Sequence, residues 1–312
     1  MIRYLLAALQ ALTASAALSD TPQALADAAR AWAEDYDVPG LAIAVTERGV
    51  VQPTDADSTR RVDMASLSKA ITAVCAGTLI DEGMWSARTT SAAVLGFGHE
   101  GITVADLITH SAGLMPDSTQ RLTPLWMTSA APRKRIVTEV ALNRARDGAG
   151  RYQYNNENYA ILGEMIETAL ATPYEDACRL RALDPAGVRD ARAAPVMGGM
   201  LPWGGWAMSP ADYARFHAHW FGPKGRYASG GAISIDVGGG ARYGMGMFFR
   251  SVQDHVNHWH FGAWCLPGRV EAGSYAVQWQ NRWGAVVTYD ACVEWDAMRA
   301  LDAALVAVVY PQ

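Results

Sequence analysis

The chain has 312 residues, a formal net charge of −5, and 50% hydrophobic against 18% charged residues. That balance suffices for a buried core in one large or two medium domains and excludes an intrinsically disordered or collagen-like chain. An acidic chain also lacks the basic surface that a phosphate backbone requires, so no nucleic-acid partner is expected; the one dense basic run, Arg133-Lys134-Arg135, reads as a solvated loop.

Residues 1–17 read as a signal peptide: Met1-Ile2-Arg3 is a short positive start, Tyr4 to Leu12 an apolar stretch, and Ala14-Ser15-Ala16 a small-residue cleavage pattern. The apolar run is too short for a membrane span, so the mature chain is expected to be periplasmic or secreted. Such a compartment permits disulfides among Cys75, Cys178, Cys265 and Cys292. Thr21-Pro22 then caps a helix carrying Leu25, Ala29, Trp32 and Tyr36 on one face up to Pro39-Gly40. Leu41–Val45 and Val50–Val51 read as a hairpin, and a helix-rich stretch runs from Ser66 to about Phe221. Inside it, Ser209-Pro210-Ala211-Asp212 is a second capped start. Glycine pairs mark loops from Gly198-Gly199 to Gly238-Gly239-Gly240. Three antiparallel strands follow, His258–Trp264, Ser274–Gln280 and Trp283–Tyr289, and a last helix carries Trp295, Met298, Leu301, Leu305 and Val308.

Strands at both ends with helices between predict an α+β fold: an antiparallel sheet built from both chain ends, flanked by terminal helices, with an inserted helical subdomain. The expected division is one domain over residues 18–312, with a sheet part at about 18–65 and 240–312 and a helical part at about 66–239. Cys75, on the apolar face of the Ser66 helix, is expected to be a buried thiol, whereas Cys265 and Cys292 end strands that a meander brings together and are a candidate pair for a disulfide.

Three short patterns carry chemistry. In Ser66-Leu67-Ser68-Lys69 the helical spacing puts Ser66 and Lys69 one turn apart on one face. A lysine whose pKa is lowered by burial takes the proton from a serine hydroxyl and makes it a nucleophile, and helix-start N–H groups stabilise the oxyanion. The same four residues also suit a capping serine and an exposed lysine, and Ser68 competes with Ser66. In Tyr154-Asn155-Asn156, Tyr154 is a phenol whose ionisation a neighbouring ammonium favours, and Asn156 an amide donor to Lys69 and to a substrate carbonyl; either asparagine also suits a helix cap. In His260-Phe261-Gly262, glycine lets a ligand lie along the strand, the N–H of Ala263 completes an oxyanion hole with that of Ser66, and His260 is a proton donor or electrostatic partner, or else part of an aromatic patch with Trp259 and Trp264.

In this order the three patterns resemble the serine β-lactamase and penicillin-binding-protein superfamily, most closely its class C and β-lactamase-related esterase branch. They match its S-x-x-K, Tyr-x-Asn and Lys/His-Thr/Ser-Gly motifs, and Leu107-Ile108-Thr109-His110-Ser111-Ala112-Gly113-Leu114 is similar to a further family segment. The resemblance implies a β-lactamase/transpeptidase-like fold and acyl transfer through an acyl-enzyme on Ser66, with Lys69 and Tyr154 sharing the base and acid roles and no cofactor. Where the family has a hydroxyl that helps bind a substrate carboxylate, this chain has Phe261, which shifts the expected substrate toward a small ester, amide or peptide. A β-lactamase or D-alanyl-D-alanine carboxypeptidase remains the first alternative, and a non-catalytic peptidoglycan or envelope binding module the second. Trp203, Trp206, Trp259 and Trp264 are candidates for an apolar pocket. His217, His219, His255, His258 and His260 lack a zinc signature, and no metal site is expected.

Overall fold

The computed structural model describes residues 21–121, 131–195, 197–279 and 282–311; the expected signal peptide and the side chains of the basic run lie outside the described residues. The strands are β1 (Ala42–Glu47), β2 (Val50–Gln52), β3 (Val62–Asp63), β4 (Arg192–Ala193), β5 (Trp206–Met208), β6 (Ile235–Gly238), β7 (Ala241–Gly244), β8 (Met247–Val252), β9 (His255–Leu266), β10 (Val270–Trp279) and β11 (Trp283–Tyr289). The helices are α1 (Thr21–Asp35), α2 (Ser68–Asp81), α3 (Ser91–Leu95), α4 (Val104–Ile108), α5 (Ser118–Arg121), α6 (Ala131–Leu142), α7 (Asn156–Leu170), α8 (Tyr174–Cys178), α9 (Pro210–Phe221) and α10 (Trp295–Val309).

The main sheet has eight strands in the order β2-β1-β11-β10-β9-β8-β7-β6, with antiparallel pairing throughout. The first strands of the chain thus pair with the last, Ala42 opposite Thr288 and Glu47 opposite Trp283, as an α+β sheet made from both ends requires. Alternation along each strand sends side chains to opposite faces. Ile43 and Val45 on β1, Tyr275 and Val277 on β10, and Val287 on β11 join Leu25, Trp32, Leu301 and Leu305 of α1 and α10 in one core, while Ala44, Ala276 and Val286 face a second, larger core under the helices. A buried bond from Trp32 Nε1 to the Ala297 carbonyl, 2.8 Å, locks α1 to α10.

α2 is the axis of the larger core. Eleven of its residues, from Ser68 to Leu79, are buried, so this helix is enclosed on nearly every side rather than amphipathic. The sheet reaches further back than the sequence pattern suggests, because β6, β7 and β8 are short and broken by the Met245-Gly246 turn, whose φ values of 52° and 79° lie in the left-handed region. A second, small antiparallel sheet, β3-β5-β4, joins Val62–Asp63, just before the helical part, with two strands inside it, and its strands of two and three residues are too short to show alternation.

Cys265 and Cys292, the candidate pair, form a disulfide with Cα atoms 5.2 Å apart. Cys75 does not remain a thiol. It bonds Cys178, Cα–Cα 5.3 Å, because the face of α2 that carries it packs where α8 ends. Among the described residues no helix is long and apolar enough to cross a membrane.

Candidate active site

Ser66 sits in a 3-10 turn, Ala65–Leu67, immediately before α2. Its position is fixed from both neighbouring sheets. The Met64 N–H donates to the Trp206 carbonyl on β5 at 2.8 Å, and the Ser274 hydroxyl on β10 donates to the Met64 carbonyl at 2.8 Å. Between them Ala65 takes φ 45°, a left-handed conformation that costs a non-glycine residue about 1–3 kcal/mol and that surrounding contacts must hold. Gly262 on β9 completes the frame: a Cβ there would lie 2.8 Å from Ser66 N and would meet the Ser274 hydroxyl, so only glycine lets the strand pass this close.

Lys69, fully buried, donates from Nζ to Ser66 Oγ at 3.1 Å and to the Trp203 carbonyl at 2.9 Å. The bland possibility of an exposed lysine is thereby removed. Burial pulls its pKa down to about 7, against the opposing pull of the Asp117 carboxylate. Ser68 is no rival for Ser66. Its hydroxyl is buried and accepts the Trp206 N–H at 3.2 Å.

Tyr154 lies across from Lys69, whose Nζ is 4.9 Å from the ring centroid, and its phenol hydrogen-bonds Ser66. The tyrosine keeps 38% of its surface open, while enclosure of the hydroxyl end raises its pKa and the Ser66 bond counteracts this. Asn155 is the helix cap: its side chain accepts the Glu157 N–H at 2.7 Å, and its own N–H donates to His110 Nδ1 at 3.2 Å. Asn156 differs from expectation. Its amide donates to Thr119 Oγ1 at 3.2 Å, and its backbone N–H to Asp117 at 2.9 Å, so the start of α5 and the residue before it, rather than Lys69, hold it.

His260 is also held differently. Its Nδ1 is 2.6 Å from the Phe261 carbonyl, which makes that nitrogen the donor, and Nε2 faces the Tyr243 hydroxyl at 3.5 Å. Burial and the nearby Lys69 lower its pKa to about 3, so it is a neutral ring and not a proton donor to substrate near neutral pH. Phe261 turns to the terminal-helix face, flat on Tyr275 at 4.2 Å. Gly262 is buried opposite Ser274, and Ala263 is exposed at the cleft.

Ser66, Tyr154, Asn156, His260, Phe261, Gly262 and Ala263 line one cavity of about 510 Å³. Of the four candidate tryptophans, Trp203 and Trp264 line it, whereas Trp206 is core beside Tyr174 and Trp259 belongs to the neighbouring space beyond Phe261. Sequence reasoning missed Tyr152, Met200, Phe248, Trp295 and Met298 in the wall. It also missed the Trp203 carbonyl, since backbone acceptors leave no trace in residue type. No lysine or arginine lines this cavity among the described residues, and no group of three or more potential metal ligands is gathered among them.

The family model named Beta-lactamase matches residues 23–286. A penicillin-binding protein of Bacillus subtilis (strain 168) is 27% identical over 135 residues, 42% of this chain and 30% of that protein, so the match spans less than a third of the relative's length. In fold the chain is similar to a beta-lactamase/D-alanine carboxypeptidase from Pseudomonas syringae, with a TM-score of 0.74 at 16% identity over 93% of this chain and 99% of that one. It is also similar to a D-stereospecific amidohydrolase from a Streptomyces species, with a TM-score of 0.67 at 17% identity over 92% and 97%.

Proposed function

Because the chain belongs to the Beta-lactamase family, we propose that it is an exported serine hydrolase that acts on ester or amide substrates through an acyl-enzyme on Ser66. The single observation that carries the reading is a fully buried lysine with Nζ 3.1 Å from the Ser66 hydroxyl and a pKa near 7. A buried lysine is costly to a fold, and here it is placed where a base is needed.

The steps follow from the geometry. Neutral Lys69 takes the Ser66 proton as Oγ attacks the carbonyl carbon, and the negative charge moves to the carbonyl oxygen, facing the N–H groups of Ser66 and Ala263. Collapse of that intermediate breaks the bond to the leaving group, which receives a proton from Lys69 by way of the Tyr154 phenol. Water then attacks the acyl carbon and passes a proton by way of Tyr154 to Lys69; as the bond to Ser66 Oγ breaks, Lys69 returns that proton to Oγ, which frees the acid and restores the Ser66 hydroxyl. Tyr154 acts here as a neutral relay, because its hydroxyl resists ionisation.

The substrate preference rests on what the cavity lacks. A β-lactam or a D-alanyl-D-alanine end brings a carboxylate near the scissile bond. Here the lining residues include no cationic side chain among those described, His260 is neutral, and Phe261 replaces a hydroxyl. A neutral acyl group suits that wall better. The test is turnover of p-nitrophenyl esters with fluorophosphonate labelling. Ser66→Ala is expected to lose both, by at least ~10³-fold in kcat/KM, while Ser68→Ala keeps both. Ser66→Ala with full turnover, or no turnover and no labelling across ester, amide and β-lactam panels, overturns the proposal.

A further inference from the structure

We infer that the catalytic cleft has a second lobe, which takes an apolar arm of the substrate; this rests on the hydrolase reading above. A cavity of about 360 Å³ lies on the other face of the sheet, bounded by β8, β9, β10 and α10. Its floor is Tyr275, Val277 and Trp279, all buried, and its walls include Trp259 and Val306, each half-buried. Its size falls within the range of small-molecule sites, about 300–1,000 Å³.

Two side chains make this space part of the cleft. Phe261 and Trp295 line both it and the cavity at Ser66. Phe261 stacks on Tyr275 with an interplanar angle of 13°, and Trp295 meets it edge-on with centroids 5.4 Å apart. Trp295 is 56% exposed, so the partition between the lobes is thin and open to solvent at its outer end. The residue that departs from the family pattern is therefore the one that stands between the two spaces.

The chemistry of the lobe selects the arm. Its charged groups are engaged with one another or with a ring: Asp302 accepts from the Tyr275 hydroxyl, Arg299 pairs with Asp296 at 2.7 Å, and the Arg250 guanidinium lies 5.7 Å over the Trp259 ring. Asn257 donates to the Tyr310 hydroxyl at 3.3 Å, and the rest of the lining, Val252, Tyr275, Val277, Trp279, Trp295 and Val306, is aromatic and aliphatic. An apolar arm gains by removal of its surface from water, whereas a charged arm would be desolvated over the rings and would have to displace the contacts that already hold Arg250 and Arg299. An acyl chain and an apolar leaving group present the same chemistry here, and the experiment separates them.

The test compares kcat/KM over two series, p-nitrophenyl acyl esters from acetyl to decanoyl and alkyl acetates of the same lengths, in the wild type and in Val306→Trp, which plugs the lobe from α10. Val306→Phe serves as a smaller plug, and thermal unfolding checks that both variants fold. One series is expected to rise with chain length, and the plug to cut kcat/KM for its long members by about tenfold while short-ester turnover stays unchanged. Tryptophan fluorescence titration with decanol reads the lobe without any turnover. Plug-sensitive decanol binding with no ester hydrolysed overturns the hydrolase reading alone. Normal acetate turnover with length dependence and decanol binding indifferent to both plugs overturns the lobe alone and leaves the space as a packing gap.

Discussion

The two faces of the eight-stranded sheet are built to different ends. On the terminal-helix side, Ile43, Val45, Val277 and Val287 meet Leu25, Leu301 and Leu305 in an apolar layer. On the other side the interior holds Lys69, His110, Asn155, Glu157, Asn158 and His260, all buried. Polar groups buried like this are expensive without partners, and each of these side chains makes at least one hydrogen bond: His110, for example, accepts the Asn155 N–H at Nδ1 and has its Nε2 3.2 Å from the Tyr243 hydroxyl. The contrast separates a face that mainly keeps the chain folded, and holds the inferred lobe only at its edge, from the face that carries the chemistry. One face gains stability from hydrocarbon, and the other spends part of that gain on side chains poised to react.

The largest expected effect lies on the reactive face. Lys69→Met removes the base from Ser66 and is expected to lower kcat/KM by at least ~10³-fold, read with an activated ester. It also changes the pH dependence of stability. Since the folded pKa of about 7 lies below the unfolded 10.5, the unfolded wild type binds the extra proton between those values, and wild-type stability rises with pH across that window. The variant should lack that rise in denaturant titrations run at a series of pH values. Equal slopes would mean that Lys69 is not held neutral.

On the structural face, Leu301→Ala should cost about 2–5 kcal/mol of unfolding free energy and leave kcat/KM of the folded fraction unchanged. A large kinetic loss there would show that the two faces are not separate. Gly262→Ala probes the seam between them. Its Cβ would lie 2.8 Å from Ser66 N and 2.9 Å from the Met64 carbonyl, so Ser66 must shift, and kcat is expected to fall about tenfold or more with a smaller change in unfolding temperature. The mildest expectation needs no mutation. With Lys69 titrating at about 7, acylation should rise about tenfold per pH unit below that point and level off above it. Activity that falls as pH rises through this range would contradict a neutral-lysine base.

The structural face was the more legible of the two in the sequence. Period-two alternation and helical spacing are enough to place β1, β10, β11, α1 and α10, since a simple hydrophobic layer asks only for apolar residues in the right period. On the reactive face the motifs Ser66-x-x-Lys69 and Tyr154-x-Asn156 were visible as residue types, and the structure gathers them. Their settings were not visible. The second partner of Lys69 is a backbone carbonyl, that of Trp203, and the partner of Asn156 is Thr119, in a four-residue helix too short to give a periodic signal. The wall formed by Trp295 and Met298 comes from the last helix, where both read simply as members of its apolar pattern.

The bond between Cys75 and Cys178 joins residues 103 apart in sequence, and the stretch it encloses contains Tyr154, Asn155 and Asn156. In the chain-entropy account, closing a loop of this length restricts the unfolded ensemble by about 4.7 kcal/mol. It also ties the Ser66 helix to the segment that follows those residues. A protease that cut the backbone once inside the loop would produce no separate pieces on a gel until a reductant was added. A producing cell that keeps its thiols reduced would make a chain missing that clasp, and material recovered from it would be a poor guide to the durability of the bonded form.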